Sequence, residues 1–129
     1  MLTEAVIREA GETLARAARS PARVILFGSW ARGEGRPGSD LDFLVIEREL
    51  DSKLDEMVRL RDALPPLGVP VDVLVVSEDH ARRWADVEET MVNAALSEGR
   101  LLVDRLLKAV LAARGARYPW AEPLIEPQR

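Results

Sequence analysis

Val24-Ile25-Leu26-Phe27-Gly28-Ser29 and Ser39-Asp40-Leu41-Asp42-Phe43-Leu44-Val45-Ile46 are two apolar runs joined by a polar, glycine-rich stretch. Each run is short, partly β-branched and bounded by breakers, which predicts buried strands over 22–27 and 40–47. Between them, Gly28-Ser29 turns the chain, Trp30-Ala31-Arg32 has room for one helical turn, and 33–39 reads as a loop with three glycines and a proline. The loop contains a formal G-x-G-x-x-G at Gly33–Gly38, but a dinucleotide fingerprint must lead into a helix. Here a strand follows, and Pro37 removes an amide that phosphates would need. The loop therefore reads as a mobile cover over a substrate.

Upstream, Leu2, Val6, Ala10, Leu14 and Ala17 recur at helical spacing until Ser20-Pro21, because a proline disfavours helical geometry in the residue before it. Downstream, Asp51 or Ser52 caps a helix with Leu54, Met57, Val58 and Leu64 on its apolar side, and Pro65-Pro66 stops it. A third strand runs over 69–76. A helical region opens at Ser77 or Asp79 and reaches Trp84. A further helix carries Val87, Met91 and Ala95 to Gly99, and Leu101-Leu102-Val103 suits a short edge strand. Asp104 is placed to cap a last helix to about Arg114, bearing Leu107, Val110 and Leu111; the proline-broken end holds Tyr118 and Trp120. This order predicts an α+β domain with a small mixed β-sheet flanked by helices.

The carboxylates carry the chemistry. Asp40 and Asp42 are two apart in a predicted strand, so they share a face. Asp72 interrupts Val71-Asp72-Val73-Leu74-Val75-Val76, where a charge is out of place unless paired or metal-bound. If the second and third strands are neighbours, the three carboxylates converge. Like charges ~4 Å apart repel by roughly 4 kcal/mol per pair at an effective dielectric of ~20; a divalent cation reverses that sign. Magnesium fits, because it takes a few carboxylates and completes its shell with water and substrate phosphate. The Gly28-Ser29 turn supplies the other half: the amides of Ser29, Trp30 and Ala31 and the Ser29 hydroxyl suit a phosphate. Arg32 and Arg36 are both near enough in sequence to touch a polyphosphate, and spacing does not choose between them. Such parts serve phosphoryl and nucleotidyl transfer, where catalysis is positioning and charge neutralisation, with two cations about 3.5–4 Å apart an option.

Gly28-Ser29, ten residues, then Asp40-Leu41-Asp42, with Asp72 in a later strand, resembles the signature of the minimal nucleotidyltransferases of the DNA polymerase β-like superfamily. Phe27-Gly28-Ser29-Trp30-Ala31-Arg32-Gly33 and Ser39-Asp40 fit it too, and the likeness extends over about 1–103. Residues 104–129 are expected to be an appended helix and irregular tail, not an independent domain. The resemblance implies transfer of a nucleoside monophosphate, usually AMP from ATP, to a hydroxyl, with Mg2+ (two ions possible) as cofactor. Asp40, Asp42 and Asp72 would be catalytic and metal-binding; Gly28, Ser29 and Arg32 would hold the nucleotide. Short members resemble antitoxins that AMPylate a HEPN-domain toxin, so such a toxin is the expected partner, in a hetero- or homo-oligomer. A module acting by binding alone, or an adenylyltransferase for an aminoglycoside-type small molecule, are the alternatives.

Composition narrows the rest. With no cysteine and one histidine, His80, thiolate and multi-histidine metal sites are excluded and oxygen ligands remain. A net charge of −4 argues against broad nucleic-acid binding. The acidic N-terminal stretch reads as no signal peptide, no run approaches a membrane span, and a cytoplasmic location is expected. His80 and Arg82-Arg83 read as surface residues, and Trp30 and Trp84 as packing, with Trp30 at a pocket edge.

Overall fold

The computed structural model describes residues 2–106 of the 129. The elements run α1 (Glu4–Ala17), β1 (Ala22–Phe27), β2 (Leu41–Glu47), α2 (Lys53–Ala63), β3 (Val71–Ser77), α3 (Glu78–Trp84), α4 (Met91–Glu98) and β4 (Arg100–Asp104). The strands form one sheet in the order β3-β2-β1-β4. β1 pairs antiparallel with β2 and β4, and β2 pairs parallel with β3. The mixed α+β architecture expected from the sequence is the one observed. A parallel pair needs a crossover, and α2 supplies it between β2 and β3.

Strand alternation splits the core into two layers. Val24, Leu26, Phe43, Val45, Val73 and Val75 pack under α1 and α2 with Ile7, Leu14 and Leu60. Ile25, Leu44, Ile46 and Val76 pack on the other face with Ala81, Val92, Ala95 and Leu106. Asp42 and Asp72 share the period-2 phase of Leu44 and Leu74, which places them on this second face, at the sheet end where β1 finishes.

Helix starts follow capping chemistry. Thr3, Ser52, Ser77 and Thr90 each accept a hydrogen bond from the backbone N–H three residues on. This settles Ser52 over Asp51, and Ser77 over Asp79. The helix expected to carry Val87 and Met91 inward begins later. Glu89 takes a left-handed conformation (φ 67°), Thr90 caps α4, and Val92 and Ala95 face the core. Val87 and Met91 are exposed instead. Trp84, expected as packing, is 41% exposed beside His80. Asp104 ends β4, and its carboxylate accepts from the buried Arg23 at 2.7 Å. Arg105 and Leu106 are helical, and the rest of the expected helix and the tail lie outside the described residues.

Candidate active site

Asp72 is the register partner of Asp42 across the parallel β2–β3 pair, so the sheet places their Cα atoms side by side. Asp42 is half-buried, and Asp72 is exposed. Desolvation holds the Asp42 carboxyl above the usual carboxylate range, reinforced by the charges of Asp72 and Asp40 and a side-chain hydrogen bond with Asp72, while Arg32 pulls the other way. Asp40 stands one residue ahead of β2 and is exposed, so it reaches Asp42 from the loop rather than along the strand.

The described residues contain no group of three or more Asp, Glu, His or Cys side chains close enough to cage a metal ion. The full convergence of three carboxylates expected from the sequence is therefore not preformed. The all-oxygen Asp42–Asp72 pair, with Asp40 beside it, still fits Mg2+. That ion binds through one or two carboxylates plus substrate phosphates rather than in an all-protein cage. When bound, it would neutralise the pair and the phosphates.

Gly28 closes the site from the β1 side. Its φ is +79°, and a Cβ there would run into Asp42 Oδ2 and lie 3.3 Å from Asp42 Cγ. A left-handed residue other than glycine costs about 1–2 kcal/mol, and a methyl would also push the carboxylate aside. Gly28→Ala is therefore expected to lower the melting temperature by several degrees, of the order of 5 °C. Nucleotide binding should weaken in the same variant; thermal melts and calorimetry with AMP-PNP check both.

The turn after Gly28 departs from expectation in one respect. The N–H groups of Ala31 and Arg32 both donate to the Gly28 carbonyl (3.1 and 3.2 Å), and that of Glu34 to Ser29 (2.9 Å). The Ala31 amide is thus committed within the turn, while those of Ser29 and Trp30 take no part in these bonds. The residues form a single turn that does not continue as a helix. Arg32 lies at the site's edge, ion-paired to Glu34 at 3.0 Å and Glu98 at 3.8 Å. To meet a triphosphate it must exchange those partners. Arg36 is exposed.

A groove of about 430 Å³ opens beside Asp72, walled by Leu54, Met57, Val58, Leu74 and Met91, with Arg61 at its side. Leu54, Val58 and Met91 are 53–70% exposed. Periodicity marked Leu54, Met57 and Val58 only as the buried side of a helix, so this surface was missed. At the opposite end of β2 lies a feature that no motif announced: Glu47 and Glu56, 1% and 2% exposed, around a cavity of about 310 Å³ with Arg19, Ser20 and Ser52.

With this geometry in view, the chain can be classed. Residues 7–102 match the model of the nucleotidyltransferase domain family, and the chain belongs to that family. No curated protein sequence matches it. Among solved structures it is similar to a protein of Sulfolobus solfataricus assigned as a nucleotidyltransferase, at 23% identity and a TM-score of 0.54, over 79% of this chain and 80% of that one. A toxin–antitoxin structure with AMP-PNP is similar at 19% identity and a TM-score of 0.52, over 94% and 86% of the two chains. A mutant of the toxin–antitoxin pair MntA–HpeT follows at 16% and 0.50, over 95% and 85%. At these identities the likeness shows a shared fold. Among the described residues no helix is long and apolar enough to cross a membrane.

Proposed function

We propose that this nucleotidyltransferase moves AMP from ATP, with Mg2+, onto a hydroxyl of a partner protein, a HEPN-domain toxin for which it serves as antitoxin. The observation that carries the transfer reading is the pairing of Asp42 with Asp72 in register, closed by Gly28. The chemistry is a substitution at the α-phosphorus. The acceptor oxygen forms a bond to it, the bond to the bridging oxygen of the β-phosphate breaks, and pyrophosphate leaves. Asp40, Asp42 and Asp72 would hold the cation, and exposed Asp72 would also assist the acceptor by taking its hydroxyl proton. Gly28 and Ser29 would seat the triphosphate, with Arg32 joining them on release from Glu34 and Glu98.

The groove beside Asp72 supports a protein acceptor over an aminoglycoside. A polycationic antibiotic calls for several carboxylates, whereas these walls are mainly apolar, with Asp72 and Arg61 the charged side chains among them. Large exposed apolar side chains suit a protein surface. The resemblance to antitoxins of this type, and the toxin–antitoxin assemblies among structures of the same fold, point the same way.

With ATP labelled at the α-phosphate, Mg2+ and a cognate HEPN-domain toxin, the wild-type chain is expected to transfer label to the toxin, and Asp42→Ala is expected not to. No label on the toxin, or equal transfer by the variant, would overturn the reading. Neutralisation of the toxin by an Asp40→Asn/Asp42→Asn variant would favour an antitoxin that acts by binding alone.

A further inference from the structure

We infer that Trp30 is a positioning residue: its indole N–H, donated to the Ser39 carbonyl, fixes Asp40 for cation binding. The inference rests on the nucleotidyl-transfer reading above and concerns how that site is held in shape.

Asp40 needs such help. It is exposed and precedes the β2 ladder, so strand pairing does not hold it directly. Its two flanking peptides are held instead. On the far side, Leu41 N–H donates to the Pro70 carbonyl at 2.9 Å. On the near side, Trp30 Nε1 donates to the Ser39 carbonyl at 3.2 Å. That carbonyl belongs to the peptide plane joining Ser39 to Asp40, so fixing it restricts the rotation that would swing the carboxylate away from Asp42. Ser39 is tied a second time: its N–H donates to the Arg36 carbonyl at 2.8 Å, and its hydroxyl accepts from the Arg36 N–H at 3.1 Å.

The ring also organises the loop around itself. Trp30 packs against the core under α1. A Cβ at Gly35 would fall within the indole, against its Cδ2, Cε2 and Cε3 atoms. The glycine-rich segment therefore passes against the tryptophan, with Gly35 close to the ring. One side chain thus joins the Gly28-Ser29 turn, where it is rooted, to the carboxylate ten residues on. A phenylalanine would keep an aromatic side chain there while losing the donor and part of the ring system that Gly35 lies against.

Three readouts separate positioning from packing: the Mg2+ half-saturation of AMP-PNP binding by calorimetry, AMP-PNP affinity without metal, and the melting temperature. Trp30→Phe is expected to raise the Mg2+ half-saturation about 3- to 10-fold, the effect of one lost hydrogen bond. Metal-free affinity should stay close to wild type, and the melting temperature should fall by only a few degrees, about what one hydrogen bond and part of a ring contribute. Gly35→Ala, which displaces the ring, should shift the Mg2+ half-saturation in the same direction. An unchanged Mg2+ requirement in Trp30→Phe would overturn the inference, as would equal weakening of metal-free and metal-dependent binding. If the wild-type chain shows no Mg2+-dependent binding of AMP-PNP, the nucleotidyl-transfer reading itself fails, and the inference with it.

Discussion

Asp42→Asn is expected to lower nucleotidyl transfer by about 10²-fold or more while making the metal-free chain more stable. The two effects have one origin. Asp42 is half-buried, and its carboxylate stands beside Asp72 and within the field of Asp40. Without a cation, three negative charges at one end of a sheet repel each other, and a neutral amide of the same shape removes the central one. Two of the three are exposed, so water screens the relief to about 1 kcal/mol. That corresponds to a rise in melting temperature of about 3–6 °C. With Mg2+ and ATP the order should invert: the wild type gains ligand-linked stability and the variant gains little. Melts with and without Mg2+–AMP-PNP, beside a transfer assay, check this. A variant less stable than wild type in metal-free buffer would mean that Asp42 is held by its hydrogen bonds rather than strained by its neighbours.

The placing of Asp72 beside Asp42 was legible in the sequence, for identifiable reasons. Gly28-Ser29 and Pro70 punctuate the chain sharply, so the strands around them were bounded correctly to within a residue or two. Asp72 stood out because a charge inside a run of valines needs an explanation, and the register with Asp42 gives it one. The role of Gly28 was legible only in kind. The sequence marks Gly28 as a turn beside a phosphate seat but does not say that Asp42 lies against it. The commitment of the Ala31 amide depends on how tightly the turn closes onto the Gly28 carbonyl, a matter of backbone angles rather than residue types. The place of α4 was missed because a four-residue spacing links Val87, Met91 and Ala95 as one helical stripe. Glu89, in a conformation rare for a residue other than glycine, delays the helix by one turn.

Less legible still were the buried charges. Arg23 alternates between Ala22 and Val24 and looks like an outward strand residue, yet it is 1% exposed and bonded to Asp104 from the neighbouring strand. Likewise Glu47 and Glu56 lie on different elements, and nothing in their local sequence says that they meet. Pairings of this kind are set by tertiary packing, to which local patterns are blind.

Glu47→Gln is expected to remove much of the pH dependence of the protein's stability between about pH 5 and pH 8. Burial, then a hydrogen bond with the Glu56 carboxyl and that group's charge, push Glu47 up to about 8. Burial also acts to raise Glu56, but hydrogen bonds from Arg59, Glu47 and the Arg19 N–H outweigh it and pull that group down to about 2. The geometry agrees: Arg59 donates to both Glu56 oxygens at 2.8 and 2.9 Å, whereas Glu47 Oε2 is buried with no donor among the described residues. A proton on Glu47, given to Glu56, satisfies that atom. The unfolded chain releases this proton near pH 4.5, and the folded chain keeps it until about pH 8. Between those values the native state binds more protons, so stability falls as pH rises, by at most about 1.4 kcal/mol per pH unit. It levels off above pH 8, once both states are ionised. Glu56 acts with the opposite sign: its contribution is present above about pH 4.5 and lost as pH falls toward 2. The wild type should therefore melt at progressively lower temperature from pH 5 to pH 8, by about 5 °C per unit at most. Glutamine cannot ionise and can still donate to Glu56, so the variant's curve should stay nearly flat there and lie above wild type at pH 8. Parallel curves for the two chains would show that Glu47 is already ionised in the native protein, and that the pair does not share a proton.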